Sequence, residues 1–340
     1  MAGRRVLITG ISEHLPGRLA LALEEHDDVE TIVGVDVREP SVALKRTEFV
    51  RADIRNPLVT RIIVSERIDT VAHLSVASAP GSGGRARMKE RNVIGTMQLL
   101  AACQKATPLR RVIVKSSTAV YGSDHTDPAL FAEDATPRTP PKGGFAKDAT
   151  EVESYARAFG RRRKDVEVTL LRFANFLGGG NESSFARYFA LPVVPTIFGF
   201  DPRLQFCHPE DAVAVFVESI VGDHPGIFNV AGDGALYLSQ ALRILGRPQA
   251  PLPLPIVDFA GSLVRRTGRV DYSPEQLRFL QFGRVADTTR LLEVFGYTPA
   301  WTTRAALEDY MTRREKEVVA EPSPRNDLEN FLRGRARART

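Results

Sequence analysis

Arg4-Arg5-Val6-Leu7-Ile8-Thr9-Gly10-Ile11-Ser12-Glu13-His14-Leu15-Pro16-Gly17-Arg18-Leu19-Ala20 sets the architecture of this chain. Val6 to Ile8 is an apolar run of the length of a buried strand, and it breaks at Thr9-Gly10. Leu15, Leu19 and Leu23 then recur at helical spacing. A strand, a glycine turn and a helix in that order open a dinucleotide-binding unit, because the free amides of a helix N-terminus attract a pyrophosphate.

The same alternation continues outward. Val29–Asp36, Phe49–Asp53, Asp69–Leu74, Arg111–Ser116 and Glu167–Arg172 read as strands. Leu58–Ser65, Met88–Lys105 and Lys147–Phe159 read as helices between them. Such a series predicts an α/β fold, a Rossmann-type doubly wound parallel sheet, with ligands at the carboxyl ends of the strands. Past Gly178 the alternation loosens into short segments. The expected division is a Rossmann domain over 1–177, with core pieces contributed from 204–231, a smaller C-terminal substrate lobe over 178–311, and a charged, flexible tail over 312–340. In the lobe, Pro209–Val221 and Ile256–Arg266 read as helices, Gly226–Ala231 as a strand, and Ser239 as the cap of a helix ending at Leu245.

Composition excludes several functions. Hydrophobic residues make up 43% and charged residues 26% of the 340, as in soluble globular proteins. No apolar run has the length of a membrane span, the N-terminus leads straight into the first strand, and the two cysteines, Cys103 and Cys207, lack metal-ligand spacing. The expectation is a cytoplasmic protein with no membrane span and no metal. The net charge of +5 owes much to the four arginines within Arg333–Thr340, and without them it is +1. That tail reads as a solvated terminus rather than a nucleic-acid contact. The run Arg161-Arg162-Arg163-Lys164 reads as the basic end of a helix.

The chemistry-bearing positions fall at the strand ends. Asp36, 26 residues after Gly10, suits the adenosine ribose and disfavours a 2′-phosphate, pointing to NAD over NADP. Arg38 is placed to hold that phosphate instead. Asp53 sits beside the adenine or caps the following helix, since Asn56-Pro57 comes at once. Ser116 and Ser117 offer hydroxyls to a substrate, and Lys147 suits the cofactor ribose.

The motifs Val6-Leu-Ile-Thr-Gly10, Gly34-Val-Asp36, Ala52-Asp-Ile-Arg55, Asn92-Val-Ile-Gly-Thr96, Ser116-Ser-Thr-Ala-Val-Tyr-Gly122, Leu171-Arg-Phe-Ala-Asn175 and His208-Pro-Glu-Asp211 occur in one order. In that order the chain resembles the extended short-chain dehydrogenase/reductase family of NAD-dependent epimerases and dehydratases. Within the family it resembles actinobacterial UDP-glucose 4-epimerase-like proteins. The resemblance implies that Gly10 and Gly17 flank the pyrophosphate, Asp36 the ribose, and Asp53 and Ile54 the adenine, with Ser12 and Arg38 also expected in the cofactor site. It implies that Leu74 and Ser75 line the trench, that Ser117 is the catalytic hydroxyl and Lys147 the active-site lysine, and that Asn175 contacts substrate. Asn92 is expected to be structural. A small-molecule substrate such as a nucleotide sugar is implied, as is a homodimer through helices near 88–105 and 147–159.

The chain departs from the family pattern in three places. The family's Tyr-x-x-x-Lys, counted back from Lys147, finds Gly143. The glycine loop is one residue longer, with Glu13 and His14 where a middle glycine belongs. Thr118-Ala119 replaces the Asp-Glu pair of the dehydratases, which favours epimerisation or simple oxidation and reduction. A non-catalytic dinucleotide sensor or scaffold is the competing expectation.

Overall fold

The computed structural model describes residues 3–79, 84–180, 183–256 and 274–320. Its centre is a seven-stranded sheet. β1 (Arg4–Thr9) leads into α1 (His14–Glu24), β2 (Val29–Asp36), β3 (Thr47–Arg51), α2 (Leu58–Ser65) and β4 (Thr70–His73). α3 (Gly84–Lys89), a π-helical turn (Glu90–Ile94) and α4 (Gly95–Gln104) follow, then β5 (Arg111–Ser117), α5 (Gly144–Arg162) and β6 (Glu167–Phe173). After α7 (Pro209–Val221), β11 (Gly226–Val230) returns to pair with β6. The strand order is β3-β2-β1-β4-β5-β6-β11, and every pairing is parallel.

Burial follows from strand parity. In β1, Val6 and Ile8 face the side covered by α1 and α7, where Leu15, Leu19, Val215 and Phe216 pack on them. Leu7 faces the other side, with Val33, Val71, Val112, Val152 and Ala156. A strand covered on both faces reads as a continuous apolar run, which is why Val6 to Ile8 shows no alternation.

The remaining described residues form a lobe over the carboxyl edge. It comprises β7 (Asn175–Phe176), α6 (Ser184–Phe189), β8 (Val194–Ile197), β9 (Arg203–Leu204), β10 (Phe206–Cys207), β12 (Leu236–Tyr237), α8 (Leu238–Ile244) and β13 (Gln249–Leu252). α9 (Pro274–Phe282), α10 (Thr289–Glu293) and α11 (Thr303–Ala320) complete the chain, α10 lying against β11 of the main sheet. Phe185, Phe189, Phe206, Phe279 and Leu307 form the lobe's core.

Several expectations change. The cap of α8 is Tyr237, whose amide donates to Gln240 Oε1 at 3.0 Å, while the Ser239 hydroxyl donates to Asp201. The tail boundary at 311 falls inside α11, which runs on to Ala320 and is tied to the lobe by a Tyr310 hydroxyl bond to the Ala186 carbonyl. Residues 321–340, with the arginine-rich end, and most of the helix expected over Ile256–Arg266 lie outside the described residues. In the basic run, Arg163 donates to the carbonyls of Cys103, Gln104 and Ala106, closing the C-terminal end of α4. Among the described residues no helix is long and apolar enough to cross a membrane.

Candidate active site

The carboxyl ends of the strands and the lobe enclose one cleft of 1220 Å³. Gly10, Glu13, Asp36, Arg38, Asp53, Ile54, Leu74, Ser75, Ser117 and Asn175 all line it. The residues named from sequence therefore converge, with three exceptions: Ser12, Gly17 and Lys147 are absent from the lining.

Gly10 has φ +81°, and a Cβ there would stand 2.8 Å from the Ser75 Cα. The turn after β1 thus lies directly against the segment after β4, as only glycine allows. Beneath it, Thr9, His73 and Thr96 form a buried chain, with Thr9 Oγ1 2.9 Å from His73 Nδ1 and His73 Nε2 2.8 Å from Thr96 Oγ1. Thr96 gives its own proton to the Asn92 carbonyl, so Nε2–H donates to Thr96 and Nδ1 accepts from Thr9. Burial pushes His73 down to about 3, so the ring is neutral. Thr9 Oγ1 in turn accepts from the amides of Leu74 and Ser75 at 3.2 and 3.3 Å. The Asn92 carboxamide clamps both polar groups of the Ala77 backbone at 2.9 Å, the structural part expected of it.

Asp36 is fixed at the end of β2. Its Oδ2 accepts from the Ser12 hydroxyl at 2.6 Å and amide at 3.1 Å, and its Oδ1 accepts from the Val37 amide at 2.7 Å. An ionised carboxylate has about four acceptor positions, so roughly one remains for a ligand hydroxyl. Asp53 is chelated by the Arg55 guanidinium at 2.7 and 2.9 Å, which holds its carboxyl below the usual range. Ahead of α2, Asn56 Oδ1 rather than Asp53 accepts from the Leu58 amide, at 2.9 Å. Glu13 lines the cleft. Its carboxylate accepts from Arg38 at 2.7 Å and stands 3.8 Å from Arg91. Arg38 is thereby engaged within the protein.

At the end of β5, Ser117 Oγ accepts from the Ala119 amide at 3.1 Å, which leaves its proton free to point into the cleft. Ser116 points the other way and donates to buried Glu153 at 2.7 Å. Glu153 also accepts from Arg172 at 2.7 and 2.8 Å and from Arg157 at 2.8 Å. Burial pushes the Glu153 carboxyl up, but these donors outweigh it and bring it below the ordinary range. Tyr121 is sequestered, taking a bond from Arg172 at 2.7 Å and donating to Asn229 at 2.8 Å. Tyr155 packs among the apolar residues under the sheet.

Lys147 is a correction. Gly143 is the extended cap that precedes α5, so no pair one helical turn apart can begin there. Two residues along a helix is a rotation of about 200°, which carries position 147 away from the face of 145. The face turned to the cleft and sheet carries Phe145, which lines the cleft, then fully buried Ala149, then Glu153. A phenol and amine four residues apart and facing the cleft would occupy 145 and 149, and here these are Phe145 and Ala149.

Other cleft residues escaped the sequence reading. Lys115 lines the floor two residues before Ser117. From the lobe come Arg187, Arg278 and Arg284. Arg284 donates to the Gly122 carbonyl at 2.7 Å and lies 4.9 Å over the Phe279 ring, and burial pushes it down to about 10. Strand parity was the available signal for Lys115. The arginines had none, because they lie far away along the chain. Arg203 turns instead to the Ala129 carbonyl, beside a separate cavity of 320 Å³.

Known proteins resemble this chain in sequence and in fold. The profile of the NAD dependent epimerase/dehydratase family matches residues 6–231. The Mycobacterium tuberculosis protein described as "Uncharacterized protein Rv0501" is 44% identical over 322 residues, which span 93% of this chain and 86% of its own. Among solved structures, MoeE5 in complex with UDP-glucuronic acid and NAD has a TM-score of 0.70 at 23% identity, covering 92% of this chain and 99% of its own. UDP-glucose 4-epimerase with UDP-glucose, from Thermotoga maritima, has a TM-score of 0.70 at 18% identity with the same coverage. These two share the Rossmann-type fold described above. The chain belongs to the NAD-dependent epimerase/dehydratase family.

Proposed function

We propose that the cleft binds NAD and that the protein is an oxidoreductase or epimerase acting on a nucleotide-sugar-like substrate. The observation that carries this reading is the convergence of Gly10, Asp36 and Ser117 on one continuous cleft. The residues fit the dinucleotide. The bare Gly10 turn and the first amides of α1 suit a pyrophosphate, Asp36 keeps an acceptor for a ribose hydroxyl, and Arg38 is occupied by Glu13, which favours NAD over NADP. When bound, the nicotinamide supplies a place for hydride to leave to and return from. Ser117 donates its proton to the oxygen of the reacting carbon. Asn175 and the lobe arginines suit the polar, anionic remainder of a nucleotide sugar, the class of ligand found in MoeE5 and in the epimerase.

Phe145 gives a specific ground for the second reading, a dinucleotide-binding sensor or scaffold without turnover. Loss of a positioned acid or base costs about 10²–10⁴-fold in rate. The two readings separate in one experiment. The protein is incubated with NAD and either UDP-glucose or UDP-glucuronic acid, and nicotinamide absorbance and sugar epimers are followed. Turnover abolished by Ser117→Ala supports the enzyme. NAD binding with no turnover of either sugar supports the sensor.

A further inference from the structure

We propose that Lys115 is a catalytic residue of this cleft, its amine exchanging the proton of the reacting hydroxyl in place of the phenol missing at position 145. The inference rests on the proposed oxidoreductase or epimerase reading and goes beyond it in naming the proton carrier.

Lys115 sits on β5 with the parity of Ser117, so both side chains leave the same face at the carboxyl edge. Strand geometry separates their Cα atoms by about 6.6 Å, within the joint reach of a lysine and a serine for one substrate oxygen. The intervening Ser116 is turned into the network of Glu153 on the opposite face. Among the described residues Lys115 has no hydrogen bond and no ion pair within 4.0 Å, although lysine is a strongly hydrated cation that seeks one. Among the described residues the amine, which lines the cleft, is open to a ligand there.

Its surroundings favour proton exchange near neutral pH. Burial pushes the amine down to about 8. Glu13 at the cap of α1 draws it up, Arg91 from the π-helical turn pushes it down, and the neighbouring His73 on β4 is neutral. Glu13 is itself shared with Arg38 and Arg91, so its hold on Lys115 is divided. Of the other titratable groups on the cleft, His14 is exposed and Lys142 is exposed on the loop before α5.

In the oxidation direction the substrate O–H bond breaks and its proton passes to the neutral Lys115 amine, which becomes an ammonium. The electron pair of the adjacent C–H bond leaves as hydride to the nicotinamide dinucleotide, the oxidant, and the carbon becomes a carbonyl. In the return direction the ammonium gives its proton back to the oxygen. Ser117 holds that oxygen throughout.

The test uses the full chain with NAD and UDP-glucose or UDP-glucuronic acid, with turnover measured between about pH 6 and 10. Wild type and Lys115→Arg are compared, and the lysine amines are followed in parallel by NMR after reductive ¹³C-methylation. A guanidinium keeps the charge but cannot act as a base. The expected result is an oxidation rate that rises to a plateau above about pH 8 in wild type. In Lys115→Arg the rate should fall about 10²–10⁴-fold, with NAD affinity little changed. The resonance missing in the variant should titrate near 8 in wild type. An active wild type whose rate and pH profile survive Lys115→Arg overturns this inference alone, as does a Lys115 resonance titrating at the ordinary lysine value. A wild type that turns over neither sugar overturns the proposed reaction, and the role of Lys115 with it.

Discussion

Replacing Gly10 by alanine tests the turn on which the cleft is built. Two costs follow from its geometry. At φ +81° an L-residue is strained, by about 1–2 kcal/mol. The new Cβ would also stand 2.8 Å from the Ser75 Cα and 3.1 Å from the Ser75 amide nitrogen, so backbone rather than a side-chain tip must move. Overpacking of that kind costs about 1–3 kcal/mol. Together the loss is about 2–5 kcal/mol, a large share of the roughly 5–15 kcal/mol by which a folded protein is stable. Gly17 supplies the control. Its φ is not positive, and the one tight contact of a Cβ there is the Val42 Cγ2 methyl at 3.1 Å, the Ile11 carbonyl oxygen standing at an ordinary 3.5 Å, so Gly17→Ala should cost less than about 1 kcal/mol. Urea unfolding of both variants, with NAD calorimetry on the folded proteins, reads the difference. Gly10→Ala should also lose at least about tenfold in NAD affinity, because it displaces Ser75 at the trench. Equal stability of the two variants would refute the close approach of the two loops.

Three other perturbations have defined outcomes. Glu153→Gln leaves buried Arg172 without its carboxylate and should cost about 3–5 kcal/mol in urea unfolding. Because the folded carboxyl lies below its unfolded value of 4.5, this stabilisation is full above that pH and fades as pH falls through the folded value, so the variant's stability should change less on acidification than wild type's. Glu13→Gln removes a carboxylate from the mouth of the pyrophosphate site and frees Arg38, so calorimetry should show NAD binding about two- to fivefold tighter at low salt; weaker binding would mean that Glu13 is a ligand. Phe145→Tyr places a phenol at the cleft wall, and turnover should acquire a second inflection in its pH profile beside that of Lys115; an unchanged profile would mean that position 145 does not face the reacting oxygen.

The sheet was legible because central parallel strands carry unmixed apolar runs, and Val6 to Ile8 or Val112 to Val114 admit few other readings. That Gly10, Asp36 and Ser117 share the cleft was legible for a related reason. Strand ends are polar breaks in such runs, and topology brings them together. The start of α5 was not. Gly143 and Gly144 stand side by side, either one able to precede a helix, and Lys147 drew the four-residue spacing onto itself. Phe145 and Ala149 look like ordinary residues of an amphipathic helix, so only the packing of Glu153 against Arg172 and Ser116 fixes the frame. Lys115 was hidden inside a strand, where only its parity with Ser117 sets it apart. The cleft arginines, Arg278 and Arg284, are brought to the site by the lobe, whose short strands leave no periodic trace. Ser239 looked like a cap by type, yet Tyr237 holds the position because Asp201 claims the serine.

The central claim, that this cleft is a nicotinamide dinucleotide site, is tested most directly by calorimetric titration of the full chain with NAD and with NADP, alongside Asp36→Ala. The account predicts one NAD per chain, weaker binding of NADP, and loss of NAD affinity in the Asp36 variant without unfolding. Absence of NAD binding to folded wild-type protein, or binding indifferent to Asp36→Ala, would contradict it.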